Sequence, residues 1–539
     1  MTAMRPGCVP QTVSRAARPA PAACPRFAAF VRLATLVAAG LPLGIFLVPA
    51  TAKAMDAEVT NDETAQFYDL RSPTGTVLSR RRLTATLGVG AYNLLDAPEG
   101  NPKAADLSFR ARVRYDADYG ASGAETDPTM FASVVPGFQE QLVDLMYAYV
   151  EGRRLAGGWL GFKAGRQYVT DVLGWWGFDG AEASITTPYY LKAEVYGGLE
   201  ERGGMPLGAP RFESDGIWRG NRSNFDPSLY TAFQAARAAP AYAVALESTG
   251  VTWIHGRLTY RRVDNTGSVN TSEFASGLYP ANIETGTRVS SERIGYAMDA
   301  SLASLGGAKA GIVYDLYRAD ITSIYGSLDA YLGRKVTVSA DYDYYVPSFD
   351  GDSIWNFFAG EPTNDLGLRA NVDVNDKLSI AGGGHVRIFS VQTEAFNPTG
   401  TQSQYLPSPL YSLNGAQFPT NGHPFDGGGD LRARWRTGET EMALRASGDF
   451  GEEGDRVGAD INAEHVIETR YVVSGRTGLW QWTDKLQPDR DTTSFNYVLG
   501  LGYRFAQRSQ AKVEWEHDIN GLVGQRFRIM LNLQVAASK

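Results

Sequence analysis

Arginine recurs at every second position in several short stretches of the sequence, most clearly at Arg110, Arg112 and Arg114. A guanidinium stays charged and donates several hydrogen bonds in one plane, so a row of them can bind carboxylates, phosphates or acidic side chains. The same spacing occurs at Arg432, Arg434, Arg436, Arg526 and Arg528. Because the intervening residues are mainly apolar, this period of two predicts β-strands with one charged face and one apolar face.

Other stretches alternate in the same way but carry mixed charges on the polar face. The candidate solute-facing residues in them are Lys192, Glu194, Asp341, Asp343, Glu514 and Glu516. The stretch LSFRARVRYDADY (107–119) keeps the alternation throughout its length. Strands of soluble proteins are usually about five or six residues long, whereas a tilted strand needs about 9 to 11 residues to cross a bilayer. The length therefore favours a membrane-spanning strand.

Roughly twenty segments of this kind follow one another, each near the length of a barrel strand. Tight turns such as 153–158 and 333–335 alternate with longer loops such as 202–240 and 393–427. Only helices and closed barrels satisfy all their backbone hydrogen bonds inside a membrane. We therefore predict an all-β protein, a transmembrane antiparallel β-barrel of about 18 to 22 strands with short periplasmic turns and long extracellular loops.

The charged face of such a barrel must point away from the lipid. An arginine facing lipid at the middle of the bilayer costs about 2 to 4 kcal/mol. The arginines and the other charged candidates are therefore expected to face a water-filled lumen.

The first 54 residues differ in composition from the rest of the chain. They hold basic residues but no acidic ones, followed by the apolar run LATLVAAGLPLGIFLVP and then Ala52-Lys53-Ala54. This order is typical of a cleaved secretory signal peptide. We predict a signal peptide at 1–54, a periplasmic segment at 55–79 and the barrel at 80–539, in the bacterial outer membrane.

The composition also excludes several functions. Both cysteines, Cys8 and Cys24, precede the predicted cleavage site, so the mature chain has no thiol for a disulfide, a metal site or a haem attachment. The net charge of -8 disfavours nucleic acid as a partner. The histidines are scattered, with no recognisable nucleophile or metal motif around them. We expect no cofactor and no enzymatic activity.

The stretch 144–185 resembles the porin-like outer-membrane channels of the alginate-export type. The matching residues are Gly165, Arg166, Gln167, Phe178, Asp179 and Gly180. The resemblance implies a monomeric or trimeric channel for diffusion or for polymer export, inserted by the outer-membrane assembly machinery. It further implies that basic lumen residues, Arg166 among them, attract anionic solutes or a polysaccharide.

Two features depart from that family pattern. Strict alternation through Leu160, Phe162 and Ala164 would direct Arg166 towards lipid. A bulge at Gly165 would return it to the lumen; without a bulge, Arg166 would lie near the rim and extend its charged group to the interface. The chain also ends in VAASK instead of an aromatic residue.

Several features of the lumen and of the function stay open at the level of sequence. A constriction would come from a folded loop, with 202–240 and its Arg211, Arg219 and Arg222 as the candidate, although an exposed loop fits equally well. Aromatic residues on the polar face could instead form a sugar-stacking path, namely Tyr190, Tyr196, Tyr325 and Tyr345. The alternatives to a channel are a structural or adhesive barrel acting through loops such as 395–425, and a barrel-embedded hydrolase.

Overall fold

The computed structural model describes most of the chain after the predicted signal peptide. The described residues are 56–71, 77–96, 101, 104–118, 143–201, 239–265, 269–270, 283–284, 287–346, 362–389, 425–451, 454–485, 488–522 and 524–538. The predicted signal peptide and the long loops 202–238 and 390–424 lie outside these ranges.

The described chain consists almost entirely of β-strands. In chain order they are β1 (Asp56–Arg71), β2 (Val77–Tyr92), β3 (Asp106–Asp118), β4 (Val143–Arg154), β5 (Leu160–Asp171), β6 (Gly174–Thr186), β7 (Leu191–Glu200), β8 (Pro240–Ser248), β9 (Ile254–Asn265), β10 (Val269–Asn270), β11 (Ile283–Glu284), β12 (Arg288–Leu302), β13 (Gly306–Asp315), β14 (Asp320–Leu332), β15 (Val336–Tyr345), β16 (Thr363–Asn375), β17 (Leu378–Phe389), β18 (Phe425–Arg436), β19 (Thr440–Phe450), β20 (Gly454–Ile467), β21 (Tyr471–Asp484), β22 (Thr492–Ala506), β23 (Ser509–Asn520) and β24 (Gly524–Ser538). A single helical turn at Leu155–Gly158 and a 3₁₀ turn at Pro488–Arg490 complete the described elements. None of the described helices is long and apolar enough to cross a membrane.

The strands form one closed antiparallel barrel. Each strand pairs with its neighbours in sequence, and the short β10 and β11 pair only with each other. Closure comes from β1, which pairs with β2 on one side and with β24 on the other. At this seam the Thr64 hydroxyl donates a hydrogen bond of 3.0 Å to the Asn532 side chain. The prediction of an antiparallel barrel is confirmed, and its 22 strands are the upper end of the predicted range.

The predicted division at residue 80 is wrong. Residues 56–71 form barrel strand β1 instead of a periplasmic segment, and β2 already begins at Val77. The alternation in β1 is hard to recognise because Asn61 and Glu63 occupy positions paired with Leu87 and Ala85, on the otherwise apolar face. Pairing on both edges stabilises a strand whose own pattern is weak.

The wall has two different faces. One carries apolar side chains that remain exposed, such as Leu501 at 66% and Leu328 at 63%. The other carries the charged side chains. This second face is concave, because Arg257 on β9 reaches Glu194 on β7 at 2.5 Å across the intervening β8, and Arg112 on β3 reaches Asp62 on β1 at 2.6 Å across β2. The charged face therefore lines the lumen.

Candidate functional site: the lumen and its inward-folded hairpin

The predicted arginine row on β3 lies on the lumen face but is largely neutralised. Arg112 pairs with Asp62, and Arg114 pairs with Asp144 at 3.0 Å. Arg110 lies over the Tyr92 ring, 5.0 Å from its centroid. Two of the three guanidinium groups are thus bound by the protein itself.

The row on β24 is neutralised in the same way, and the row on β18 is neutralised only in part. Arg432 pairs with Asp430 at 2.6 Å, while Arg434 and Arg436 share the carboxylate of Glu441, each at 2.6 Å. On the last strand, Arg526 pairs with Asp518 and Arg528 with Glu516. On β24 the sequence already predicts acidic neighbours, because Glu514, Glu516 and Asp518 precede Arg526 and Arg528 on the adjoining strand of a hairpin. For the other rows, only the strand register shows that acidic side chains lie beside them.

The remaining predicted lumen residues behave differently from one another. Lys192 pairs with Glu194 at 2.5 Å, and Glu514 pairs with Lys512 at 2.9 Å. Asp341 and Asp343, in contrast, have no ion pair within the described part of the chain.

Two lumen arginines that the sequence analysis missed have neither an ion pair nor an aromatic partner among the described residues. Arg456 on β20 also lacks an ion pair there, but its guanidinium lies over the Trp480 and Trp482 rings, at 4.4 and 4.9 Å. Arg445 on β19 lies opposite Arg432 and Asp460, and Arg476 on β21 lies opposite Asn462. Arg476 lines a groove of about 450 Å³ in the wall. Arg445 and Arg476 are each the only arginine in their strand, so neither belongs to an arginine row. Their position on the polar face of the strand was the only signal in the sequence.

The largest departure from a plain barrel wall is the β5–β6 hairpin. Its turn contacts β12, which lies beyond β7, β8 and β9 along the wall. A Cβ atom built on Gly295 of β12 would lie 2.6 Å from Val172 Cγ1 and 2.8 Å from Leu173 Cδ2. Gly295 pairs with Thr259, a residue of the lumen face. The distal half of the hairpin is therefore folded into the lumen.

Glycines allow the fold inward. Gly165 on β5 has φ +126° and pairs with Gly180 on β6. A Cβ atom at Gly165 would collide with the backbone of Ala148, and one at Gly180 with the backbone of Gly197. Glycine tolerates both the positive φ and this close approach of neighbouring strands. The line Gly165–Gly180–Gly198 is thus a crease that runs across three strands.

The wall-facing side of the hairpin is packed and hydrogen-bonded. Trp176 and Phe178 stack with centroids 4.3 Å apart and are buried against Tyr196 and the alanines of β8. The Tyr196 hydroxyl donates to Asp171 at 3.2 Å, and Trp176 Nε1 donates to Glu200 at 3.1 Å. The small side chains of β8 leave the space that these large rings fill.

Arg261 of β9 binds the turn of the hairpin from the wall. Its Nη2 donates to the Leu173 carbonyl at 2.8 Å, and its guanidinium lies 5.2 Å from the Trp176 ring centroid. The side chain is buried, its Nη1 has no hydrogen-bond partner, and no ion pair to it exists among the residues that the structure describes.

Arg166 fills the gap that opens where β5 leaves β4. The register between β5 and β6 runs through Gly165 without a shift, so of the two alternatives the bulge is absent and the crease directs Arg166 instead. The guanidinium binds both carboxylate oxygens of Asp179, at 2.7 and 2.8 Å, and donates to the Leu145 carbonyl of β4 at 3.0 Å. Beyond the end of β7, Glu201 lies 3.4 Å from Arg166, and burial raises the pKa of this carboxyl to about 7.

The six residues that carry the family resemblance therefore form the base of the inward-folded hairpin. Gly165 pairs with Gly180, Arg166 with Asp179, and Gln167 with Phe178. Their role here is to bend the hairpin and to fix it, and Arg166 is engaged by the protein.

The other side of the hairpin faces the lumen and is aromatic. Tyr168 and Trp175, which are 36% and 39% exposed, stack at 6.4 Å, and Tyr168 lies 5.9 Å from Tyr147 on β4. We call Tyr147, Tyr168 and Trp175 the aromatic row. Lys163 lies beside it, with Nζ 4.5 Å from the Tyr149 centroid and 5.8 Å from that of Tyr168.

The aromatic path proposed from the sequence used other residues. Tyr196 is 2% exposed beneath the hairpin, so its ring cannot stack on a solute. Tyr190 lies in the turn before β7, and Tyr325 and Tyr345 lie on β14 and β15. The proposed constriction at 202–240, with Arg211, Arg219 and Arg222, falls outside the described residues except for its last two positions. The hairpin was missed because its turn is tight and its strands alternate normally.

Comparisons with known proteins give likeness only to solved structures. No protein-family model and no curated protein matches the chain. Among similar structures, Acinetobacter baumannii OccAB4 has 7% identity and a TM-score of 0.41, with 91% of this chain and 100% of that chain covered. OccAB3 of the same organism has 10% identity, a TM-score of 0.39 and coverage of 90% and 100%. The outer membrane protein opdK from Pseudomonas aeruginosa has 8% identity, a TM-score of 0.38 and coverage of 90% and 99%. The assignment to a barrel rests on the strand pairing of this chain, and the alginate-export resemblance stays a prediction.

Proposed function

We propose that this protein is a channel of the bacterial outer membrane through which small polar solutes pass, with a preference for anions. The observation that carries the proposal is the closed 22-stranded wall with exposed apolar side chains outside and charged side chains inside. Water does not favour an extended apolar outer surface, whereas a bilayer does. A charged inner face needs water.

The width of the barrel supports an aqueous path. Barrels of 16 to 18 strands leave a channel, and barrels of 22 strands hold a plug in the known transporters. Here the described inward-folded element is one hairpin packed along β7, β8, β9 and β12. A hairpin against one side of the wall narrows the lumen without filling it.

The preference for anions is assigned to the unpaired cations. A guanidinium already bound to a carboxylate has little capacity left for a solute, and the pair has no net charge. Arg445 and Arg476 face the lumen without such partners and can bind carboxylate or phosphate groups. Asp341 and Asp343 on β15 provide the opposite sign elsewhere on the wall, which favours polar solutes that carry both charges.

The remaining expectations accompany this proposal. A signal peptide at 1–54 would direct export, and the assembly machinery would insert the barrel. The monomeric or trimeric state stays a prediction.

Ion selectivity tests the role of the two unpaired arginines. We expect a reversal potential that favours anions in a salt gradient, and a clear shift towards cations in the double variant Arg445→Gln/Arg476→Gln. The matched control, Arg334→Gln/Lys335→Gln, removes two cations from the turn between β14 and β15 and should change selectivity little. Equal shifts in both double variants would refute the assignment.

A further inference from the structure

The lumen side of the inward-folded hairpin has a composition that the channel itself does not require. A hairpin that only narrows a water-filled lumen would be expected to present polar side chains there. Instead Tyr168 and Trp175 keep more than a third of their surface exposed. Their neighbours on the opposite side of the hairpin, Trp176 and Phe178, are buried against the wall. The exposed rings are thus not part of the hydrophobic contact that holds the hairpin in place.

The exposed rings continue onto the wall. From Trp175 the row passes to Tyr168 at 6.4 Å and to Tyr147 at 5.9 Å, with angles of 27° and 59° between successive planes. Tyr149 follows at 5.8 Å, but it is buried and its face is covered by Lys163. The row is therefore an open, curved series of ring faces and not a parallel slot that could enclose one flat molecule.

Lys163 supplies a hydrogen-bond donor beside the row. Its ammonium group lies near two tyrosine faces and has no ion pair within the described ranges. An ammonium carries three hydrogen-bond donors, and the hydroxyls of the two tyrosines beside Lys163, Tyr149 and Tyr168, can both donate and accept hydrogen bonds at the edges of their rings. Apolar faces and polar edges thus occur together along the same path.

We propose that the aromatic row is a binding subsite for saccharide chains, in which the C–H faces of pyranose rings stack on Tyr147, Tyr168 and Trp175. A pyranose has an apolar C–H face and hydroxyl groups around its edge, which matches the arrangement of ring faces and donors. A series of faces about one ring apart suits several linked sugar rings better than a single ring. This inference rests on the proposed channel and names the solute class that its lumen retains.

The crease is what creates the subsite. In an unbent β5–β6 hairpin, Tyr168 and Trp175 would lie on the outward face, together with Leu160 and Ile185. The bend at Gly165 and Gly180 brings them into the lumen, next to Tyr147. The specificity of the subsite thus depends on a backbone feature.

Block of the single-channel current by a neutral trisaccharide tests this inference. We expect cellotriose to block the current of the wild-type protein, whereas sorbitol, an open-chain polyol without a ring face, leaves it unchanged. The variant Tyr168→Ala/Trp175→Ala should bind cellotriose about tenfold more weakly, the size expected when stacking contacts are lost. Tyr168→Phe keeps the ring and should retain most of the block.

Two controls separate stacking from general damage. Tyr296→Ala/Trp515→Ala removes one tyrosine and one tryptophan from the outer face, where both are more than 40% exposed, and should leave the block intact. Tyr147→Ala alters the row from the wall side and leaves the sequence, the crease and the buried anchoring contacts of the hairpin unchanged, so a weaker block there would support stacking on the row.

Calorimetric titration of cellotriose into the detergent-solubilised barrel measures binding to the aromatic row directly, whether or not the barrel conducts ions. Binding that needs the aromatic row would support the subsite even in a barrel that carries no current, and only the proposed channel would then fail. Conducting protein without cellotriose block or binding, or with the same affinity in Tyr168→Ala/Trp175→Ala, would overturn the subsite and leave the channel standing.

Discussion

Two arginines on β9 have opposite energetic roles, although they are only four residues apart. Arg257 contacts Glu194 at 2.5 Å and Glu247 at 2.7 Å, and together with Lys192 it balances these two carboxylates. Arg261 is buried beneath the hairpin, with a carbonyl and a ring as neighbours and no ion pair among the described residues. Their different surroundings follow from strand register and from the crease, neither of which the RLTYRRV sequence reveals.

We expect these two positions to respond in opposite directions to the same substitution. Arg257→Met removes the guanidinium that Glu194 and Glu247 share and leaves them with Lys192 and His255 as partners, so it should destabilise the barrel by about 3 kcal/mol. Arg261→Met replaces a buried charge that has no ion pair among the described residues with an apolar side chain of similar length, and should be neutral or stabilising. The temperature at which the folded band disappears on unboiled SDS gels measures both. A loss in Arg261→Met as large as that in Arg257→Met would contradict this account of the hairpin contact.

Glu201 provides a pH dependence with a defined sign. Burial raises its pKa to about 7, against the opposing influence of Arg166, while Asp144 and Asp179 raise it further and Arg114 lowers it. Because the folded-state pKa exceeds the ordinary value, the contribution of Glu201 to stability is present at low pH and is lost as pH rises through about 7. The same ionisation adds a negative charge near the crease.

Anion preference should therefore fall as pH rises from 6 to 8, and Glu201→Gln should remove the part of this change that is centred near 7. Reversal potentials measured across this range test the expectation. An unchanged titration in Glu201→Gln would contradict this assignment.

At the scale of elements, alternation in the sequence predicted most strands because each has one face in each environment. It missed β1, where Asn61 and Glu63 interrupt the apolar face, and it could not show the bend in the β5–β6 hairpin. Bending leaves the alternation of β5 and β6 unchanged. The only feature of the sequence that indicated the bend was the pair of glycines, Gly165 and Gly180. Likewise, the arginine rows were visible, but their neutralisation depends on which strands are neighbours and in which register.

A designed disulfide tests the position of the hairpin directly. Val172 and Gly295 are far apart along the wall but in contact through the lumen, so Val172→Cys/Gly295→Cys should form a disulfide in the folded barrel. The control Val172→Cys/Gly475→Cys pairs the same turn with β21 and should stay reduced.

Mass spectrometry of the oxidised protein reports the bond. Because the hairpin is already anchored in this position, conductance should be the same before and after reduction. A Val172–Gly295 variant that remains reduced in folded protein would show that the hairpin is not folded inwards.

At the scale of the whole molecule, one topological fact connects the observations. The pairing of β1 with β24 closes the wall, gives the inner face an environment of its own and makes the inward-folded hairpin a constriction of that interior. Without closure, the charged face would be one side of an open sheet and the aromatic row would face bulk solvent. The even strand number agrees with the same closure, since the start of β1 and the end of β24 lie at one end of the barrel, where Glu58 pairs with Ser538.

The central claim, that this closed barrel encloses a continuous water-filled path, is tested most directly by single-channel recording. The mature chain, residues 55–539, would be refolded, checked for a folded band on unboiled gels and inserted into a planar bilayer. We predict discrete, lasting current steps of uniform size, with larger steps when the hairpin is shortened by deleting residues 168–177. A folded barrel that inserts but carries no current, both in the wild type and in this deletion variant, would contradict the channel.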